Sequence, residues 1–171
     1  MIRIAITGAP GSGKSTVCRN VLNNLTCTFG GMTSADIREK GERVGFEILD
    51  ITTGKRGILA HKNGSGPRVG SYHVNLKDLD NIGVATIRNA MSSELIVIDE
   101  IAPMEFKSSG FIGAVEDALG SGRNMLVVLH MKSNHPLAEQ IRKEFEIFTV
   151  TPENREIIVS TIAEKITKYL Q

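Results

Sequence analysis

The residues of this sequence best suited to chemistry form one glycine-rich loop near its beginning. The segment Gly8-Ala9-Pro10-Gly11-Ser12-Gly13-Lys14-Ser15 matches the phosphate-binding pattern G-x-x-x-x-G-K-[ST] at every specified position. Glycine lets the backbone adopt a positive φ and approach phosphate oxygens with no Cβ in the way. Consecutive N–H groups can then surround the anion, so we assign this segment, together with Thr16, to nucleotide binding. The loop predicts a site for a triphosphate.

Two polar side chains at the end of the loop have more specific expected roles. A helix beginning near Lys14 adds unpaired N–H groups and the positive end of its dipole to the anion site. The Lys14 ammonium is expected to reach the β- and γ-phosphates as a catalytic group, and Ser15 offers its hydroxyl to Mg²⁺. The alternative is a glycine-rich turn with an incidental lysine. It is disfavoured because the complete motif lies between a predicted strand and a predicted helix.

An acidic pair follows the apolar run at residues 95–98. Magnesium bound to a triphosphate usually takes a second protein contact from an acidic residue at the end of a neighbouring strand, which predicts Asp99 as a metal ligand. Glu100 is then placed to accept the proton of an attacking water, a role worth roughly 10²–10⁴ in rate. Without the glycine-rich loop, the ordinary interpretation would be a solvated acidic pair at a strand end.

Three short apolar runs predict the strands that position these groups. Residues 2–6, 95–98 and 125–129 are rich in aliphatic side chains, as expected for strands buried on both faces of a parallel sheet. Apolar stripes at helical spacing follow over residues 17–25 and 111–119. The second helix lies between two of the strands, so we expect a right-handed crossover and a parallel sheet.

The remaining segments predict a final helix and an insertion. Residues 145–150 indicate a strand, with Thr151 as N-cap and Pro152 as first residue of a helix that covers one face of the sheet. About residues 43–75, polar and apolar residues alternate between turns, which predicts an antiparallel insertion. We therefore predict one α/β domain over residues 1–171, with a mostly parallel sheet between two layers of helices.

Composition and charge limit the classes of function. At 171 residues, 41% hydrophobic and 23% charged, the chain fits one soluble globular domain. Its net charge of +1 gives no global electrostatic reason to expect nucleic acid or a membrane as partner. No segment approaches the ~20 apolar residues that span a bilayer, so a cytoplasmic protein is expected. The two cysteines are too few for a disulfide framework, and no histidine spacing indicates a zinc site.

Several segments resemble the thermophile and cancer-related nucleoside-triphosphatase family, and the similarity covers nearly the whole chain. Asp99-Glu100 also resembles the additional-strand, catalytic-glutamate division of P-loop NTPases. Two departures are Ala102, where glycine is common, and Asp36, where glutamate is expected. The segments that carry the resemblance are Gly30-Gly31-Met32-Thr33, residues 37–46, Gly70-Ser71-Tyr72-His73-Val74, residues 99–105 and Thr151-Pro152-Glu153-Asn154-Arg155.

The resemblance implies a RecA-like sheet and slow, Mg²⁺-dependent hydrolysis of ATP, GTP and other nucleoside triphosphates, with little discrimination among bases. In the RecA-like order, the strand at 125–129 lies between the strand before the glycine-rich loop and the strand before Asp99. That order places His130 near the γ-phosphate as a candidate sensor. The alternative for His130 is a capped polar strand end.

Hydrolysis also gains from a cation that meets the developing charge, as an arginine finger does. The candidates are Arg38 and Arg43, in a family-like segment, and Arg68, which follows a loop rich in glycine. The alternative for each is a solvated surface arginine. Asn154 and Arg155 could border the base of the nucleotide or simply form the first turn of the last helix.

Two other functions stay open from the sequence. A nucleotide or small-molecule kinase would use the same loop for its donor, with the arginines closing over an acceptor. A nucleotide-gated module that remodels RNA or a protein partner would turn over slowly, although two tyrosines and no tryptophan give little material for stacking nucleic acid. A monomer or weak homo-oligomer is expected.

Overall fold

A single sheet of nine strands runs through the computed structural model, which describes residues 1–171. The strands in chain order are β1 Arg3–Thr7, β2 Phe29–Glu39, β3 Glu42–Asp50, β4 Arg56–His61, β5 Arg68–Val69, β6 Tyr72–Val74, β7 Leu95–Ile101, β8 Asn124–Leu129 and β9 Glu146–Thr149. They are arranged in the order β5-β6-β4-β3-β2-β7-β8-β1-β9. Every neighbouring pair from β2 to β9 in this order is parallel, and the pairs from β5 to β2 are antiparallel.

Helices cover both faces of the sheet. They are α1 Lys14–Asn23, α2 Leu76–Asp78, α3 Ala85–Asn89, α4 Ser109–Gly120, α5 Pro136–Glu144 and α6 Arg155–Leu170. A π-helical turn, Leu79–Val84, joins α2 to α3, and short 3₁₀ turns occupy Ala90–Ser92 and Glu105–Lys107. No helix is both long and apolar enough to cross a bilayer.

The alternation of side chains along the parallel strands divides the core into two halves. On β7, Leu95 and Val97 face α1 and α6, whereas Ile96 and Ile98 face α3, α4 and α5. All four side chains are fully buried, which is why β7 is apolar at each position from Leu95 to Ile98 rather than at alternate ones. The α/β fold predicted from the apolar runs is confirmed, and so is the position of β8 between β1 and β7, which the resemblance to a RecA-like sheet implied.

The structure corrects three local predictions. The antiparallel segment begins before residue 43, because β2 continues to Glu39 and pairs with β3 across a tight turn at Lys40 and Gly41. The last helix begins at Arg155 rather than at Pro152, and Asn154, not Thr151, occupies its N-cap position. The Asn154 side chain instead accepts the Thr151 N–H at 2.8 Å and donates to the Thr149 carbonyl at 3.0 Å, which closes a turn ahead of the helix.

Candidate active site

The carboxyl ends of three adjacent parallel strands meet at one edge of the sheet. β1 leads into the glycine-rich loop and α1, β7 carries Glu100 near its end, and β8 is followed directly by His130. These ends open on a cavity of about 640 Å³. Lys14, Ser15, Glu100 and His130 all line it, so the topology brings these predicted site residues together.

The loop requires glycine at two critical positions. Gly13, at the N-cap of α1, has φ +99°, and a Cβ there would lie 2.6 Å from Nε of Arg155. A Cβ on Gly8 would lie 2.7 Å from the carbonyl oxygen of Val150. Both contacts are shorter than van der Waals packing permits. At Gly8 the neighbour is backbone, so space requires glycine there, whereas at Gly13 the Arg155 side chain would have to shift and the positive φ is the stronger requirement.

Two side chains of the loop suit it to an anion. The Lys14 ammonium donates to the carbonyl oxygens of Gly8 at 3.1 Å and Ala9 at 3.3 Å, which holds it over the loop. The Ser12 hydroxyl is buried and has no hydrogen-bond partner in the protein. Buried polar groups are nearly always paired, and a phosphate oxygen in the loop would provide the acceptor that this hydroxyl lacks.

Ser15 and Asp99 lie together beneath the cavity. The Ser15 hydroxyl donates to Oδ1 of Asp99 at 3.0 Å, and Asp99 is 2% exposed. Burial, followed by the charge of Glu100, raises the pKa of Asp99 to about 7, whereas Ser15, Arg19 and Lys14 act in the opposite direction. An added cation beside this carboxylate would favour its charged form.

This pair fits Mg²⁺ rather than a metal held by the protein alone. Mg²⁺ prefers hard oxygen ligands and usually binds through one or two protein groups, substrate phosphates and water. The Ser15 hydroxyl and the Asp99 carboxylate are two such ligands at one place. Nowhere in the chain do three or more histidine, cysteine or acidic side chains form a cluster that could hold a metal.

Glu100 and His130 face the same cavity from neighbouring strands. Burial raises the pKa of the Glu100 carboxyl, Lys14 lowers it, and no hydrogen bond contributes. Burial, with the charges of Lys14, Arg142 and Lys132, lowers the pKa of His130. Because Nδ1 of His130 accepts the Lys132 N–H at 3.3 Å, the proton of the neutral ring lies on Nε2. His130 is therefore a neutral hydrogen-bond donor at neutral pH.

The identity of the family follows from comparison with known proteins. A family model described as NTPase matches residues 3–163. The match covers nearly the whole chain and includes every site residue named in this section. The chain belongs to this NTPase family. The resemblance seen in the sequence and the predicted enzyme class, a hydrolase acting on nucleoside triphosphates, are both confirmed.

Named relatives and solved structures agree with that assignment. The NTPase is 49% identical to the nucleoside-triphosphatase THEP1 of Methanosarcina acetivorans, over 99% of each chain. It superposes on the crystal structure of THEP1 from Aquifex aeolicus with a TM-score of 0.84, at 30% identity and covering 96% and 99% of the two chains. The solution structure of a human cancer-related nucleoside triphosphatase gives a TM-score of 0.81 at 29% identity, with 98% of each chain covered.

The structure of the NTPase separates the three candidate arginines. Arg43 alone among them lines the cavity of the glycine-rich loop, and its Nε donates to the Tyr72 hydroxyl at 3.1 Å. The Arg38 guanidinium pairs with Asp36 at 3.0 Å but does not line the cavity, whereas Asp36 does and also lies 3.9 Å from Arg43. Arg68 donates to the carbonyl of Gly70 at 2.8 Å and borders a different cavity. The geometry therefore gives neither Arg38 nor Arg68 a place beside the loop.

Two residues near the site, Arg19 and Glu105, were not identified as such from the sequence, and Arg155 makes a contact that the sequence did not indicate. Arg19 is exposed and lines the cavity, because it follows Ser15 by four residues and thus lies on the same face of α1. Arg155 donates to the Ser12 carbonyl at 2.7 Å and so supports the loop from behind. Glu105 is a buried acid in the cavity wall. Helical spacing could have indicated Arg19, whereas no local pattern indicates Glu105 or the contact between Arg155 and Ser12.

Proposed function

We propose that this NTPase hydrolyses nucleoside triphosphates to diphosphate and phosphate in a Mg²⁺-dependent reaction with broad base specificity. The observation that best supports Mg²⁺ dependence is the 3.0 Å contact between Ser15 and Asp99, directly beside Lys14 and Glu100 in one cavity. Broad base specificity rests on the resemblance to the family. The reaction requires a group that binds phosphate, a metal site and a general base. Lys14, the Ser15–Asp99 pair and Glu100 are the candidates for these three roles.

The loop and Lys14 bind and orient the triphosphate. Backbone N–H groups at the start of α1 and the Lys14 ammonium meet the negative charge of the β- and γ-phosphates. Ser15 and Asp99 would hold Mg²⁺, which would supply positive charge that offsets the negative charge developing on the phosphates. His130, with its proton on Nε2, donates a hydrogen bond to a γ-phosphate oxygen.

Glu100 acts as the general base. Its carboxylate takes a proton from a water whose oxygen attacks the γ-phosphorus, while the bond to the oxygen that bridges to the β-phosphate breaks and its electron pair leaves with the diphosphate. Burial supports this role, because it raises the pKa of Glu100 toward neutrality, where a carboxylate is a better base. The proton then passes to solvent.

The dependence on metal and base is tested by measuring phosphate release from ATP, GTP, CTP and UTP with and without Mg²⁺. We expect release from all four with similar kcat/KM, loss of release on chelation of divalent ions, and full recovery when Mg²⁺ is added. Release that persists in excess chelator would contradict the metal role of Ser15 and Asp99. A strong preference for one nucleotide would contradict the proposed base specificity.

Arg43 is the proposed cation that meets transition-state charge. Its guanidinium is shared with Tyr72 and with the ring of Phe46, 4.9 Å away, so only part of its charge is available to phosphate. Arg43→Ala is therefore expected to lower kcat by about tenfold, the lower end of the effect of losing a charged hydrogen bond.

The matched control for Arg43 is Arg38→Ala, on the adjoining strand. Arg38 itself does not line the cavity, and its loss leaves the cavity residue Asp36 in place, so kcat should stay close to the wild-type value. Equal kcat in Arg43→Ala and Arg38→Ala would remove Arg43 from the reaction.

A further inference from the structure

Glu105 is a buried acid that the proposed mechanism does not use. It is 2% exposed and begins the 3₁₀ turn that follows β7. Its side chain lines the same cavity as Lys14 and Glu100, and its Oε2 has no hydrogen-bond partner in the protein. Leaving a buried polar atom unpaired costs about 1–3 kcal/mol, and more when the group is charged. Such an atom in a native fold requires an explanation.

An ion pair does not explain Glu105. Burial is the main cause that raises the pKa of its carboxyl group, and the carboxylates of Glu100 and Asp99 raise it further. The backbone N–H groups of Glu105 and Ala102 lower the pKa, and no cation contributes. By contrast, Lys14 acts on both Asp99 and Glu100. Glu105 thus lies near the catalytic carboxylates without a positive partner of its own.

Two neighbouring hydrogen-bond acceptors can fix the orientation of a water molecule, whereas one acceptor cannot. A water that donates only one hydrogen bond, to Glu100, is free to rotate about that bond. A water that donates one hydrogen bond to each of two carboxyl groups has both O–H directions fixed. Its lone pairs then face away from both acceptors. Glu100, Glu105 and Lys14 all line the same cavity, so a water held by both carboxyl groups can turn a lone pair toward a phosphate bound by the loop.

We propose that Glu105 is a positioning residue for hydrolysis, which accepts the second hydrogen bond of the attacking water while Glu100 accepts the first. A carboxyl group offers an acceptor oxygen whether or not it is protonated, so this role does not depend on the charge of Glu105. The inference rests on the proposed hydrolysis and adds to it the group that orients the nucleophile.

The step balances with no further reactant. The bond from the water oxygen to the γ-phosphorus forms, and the bond from the γ-phosphorus to the bridging oxygen breaks, with its electron pair leaving on the diphosphate. One proton of the water passes to Glu100. The other stays on the new phosphate oxygen and keeps its hydrogen bond to Glu105.

The test compares Glu105→Met with Glu105→Gln. Methionine has similar length but no acceptor oxygen, whereas glutamine keeps one carbonyl acceptor. We expect Glu105→Met to lower kcat by about 10- to 100-fold, the size of effect that misplacement of a reactant produces. KM and the Kd of a non-hydrolysable triphosphate analogue should stay at wild-type values. Tm should change little, because removal of the unpaired Oε2 offsets the loss of the acceptor for the backbone N–H groups of Glu105 and Ala102. Glu105→Gln should recover most of the lost kcat.

The control variant is Glu94→Gln, which makes the same chemical change just before β7, at the end of the strand away from the cavity. It should keep the wild-type kcat. Wild-type kcat in Glu105→Met would overturn the inference, as would a Glu105→Gln variant no faster than Glu105→Met. A fall of Tm or loss of folding in Glu105→Met would assign Glu105 a structural role instead. Absence of phosphate release by the wild type would contradict the proposed function itself.

Discussion

Replacement of Glu100 by glutamine is expected to lower kcat by about 10²–10⁴-fold, the usual contribution of a general base. Glutamine has nearly the same shape but cannot take a proton from water. Lys14, Ser15 and the loop are unaffected, so the Kd for a triphosphate analogue should be unchanged and only turnover should fall. Steady-state phosphate release and equilibrium binding of the analogue, measured on the same preparation, separate the two quantities.

Folding should not confound this result. Burial raises the pKa of Glu100, which means that the folded protein disfavours its charged form, so a neutral replacement should leave Tm unchanged or raise it. Glu94→Gln serves again as the control for the same chemical change outside the cavity. A kcat for Glu100→Gln equal to that of the wild type would remove Glu100 from the mechanism and leave the cavity without its proposed base.

The parts of the fold that the sequence predicted are those in which burial determines the side chains. β1, β7 and β8 lie inside the sheet with helices on both faces, so their central positions are apolar in succession, and a run of this kind is visible without knowledge of its neighbours. The glycine-rich loop is predictable for a related reason. Gly8 has no space for a Cβ and Gly13 has a positive φ, and the structure therefore tolerates few alternatives.

Elements at the margin of the sheet were harder to predict. The second half of β2 is largely exposed and pairs with β3, beyond the part of β2 that pairs with β7 in the buried sheet. It therefore carries no continuous apolar run. The helical segment from α2 to α3 was not predicted either. Its π-helical turn, Leu79–Val84, shifts the buried residues away from the 3.6-residue spacing of an α-helix. The start of α6 depends on how the Asn154 side chain closes its turn, which propensity alone does not indicate.

Within the site, the sequence indicated the groups that follow strands and missed those brought in by distant contacts. Asp99, Glu100 and His130 follow from one rule, that parallel strands end at the same edge of a sheet. Arg38 and Arg43 are direct partners across the β2–β3 hairpin, so the sequence pattern does not show which of the two lines the cavity. Glu105 could not be recognised as buried, because acidic residues are mostly exposed and its turn has no periodic pattern.

The charges around the cavity explain why one lysine should matter so much. Three carboxyl groups lie in β7 and in the turn that follows it, namely those of Asp99, Glu100 and Glu105. Burial disfavours the charged form of each. A triphosphate brings more negative charge to the same place. Lys14 is the cation that acts on both Asp99 and Glu100, and its ammonium is fixed over the loop by two backbone carbonyls. Nucleotide binding next to these acids therefore depends on its charge.

Lys14→Ala is accordingly expected to weaken binding of a triphosphate analogue by about 10- to 100-fold, the range for loss of a charged hydrogen bond. It should also lower kcat by about 10²–10³-fold, because the ammonium also meets the charge that develops during phosphoryl transfer. Loss in both quantities distinguishes Lys14 from Glu100, for which only kcat should change. Fluorescent-nucleotide titration gives the first quantity, and phosphate release at saturating nucleotide gives the second.

Lys55→Ala provides the control for Lys14, since Lys55 is an exposed lysine in the turn between β3 and β4 and does not line the cavity. Its Kd and kcat should match the wild type. The Lys14 side chain bonds only to the carbonyls of its own loop, so Lys14→Ala should retain the wild-type circular dichroism spectrum. If Lys14→Ala bound and hydrolysed triphosphate like Lys55→Ala, phosphate binding would have to come from the backbone of the loop and the N-terminus of α1 alone. The three carboxyl groups would then face the nucleotide without the positive charge of Lys14.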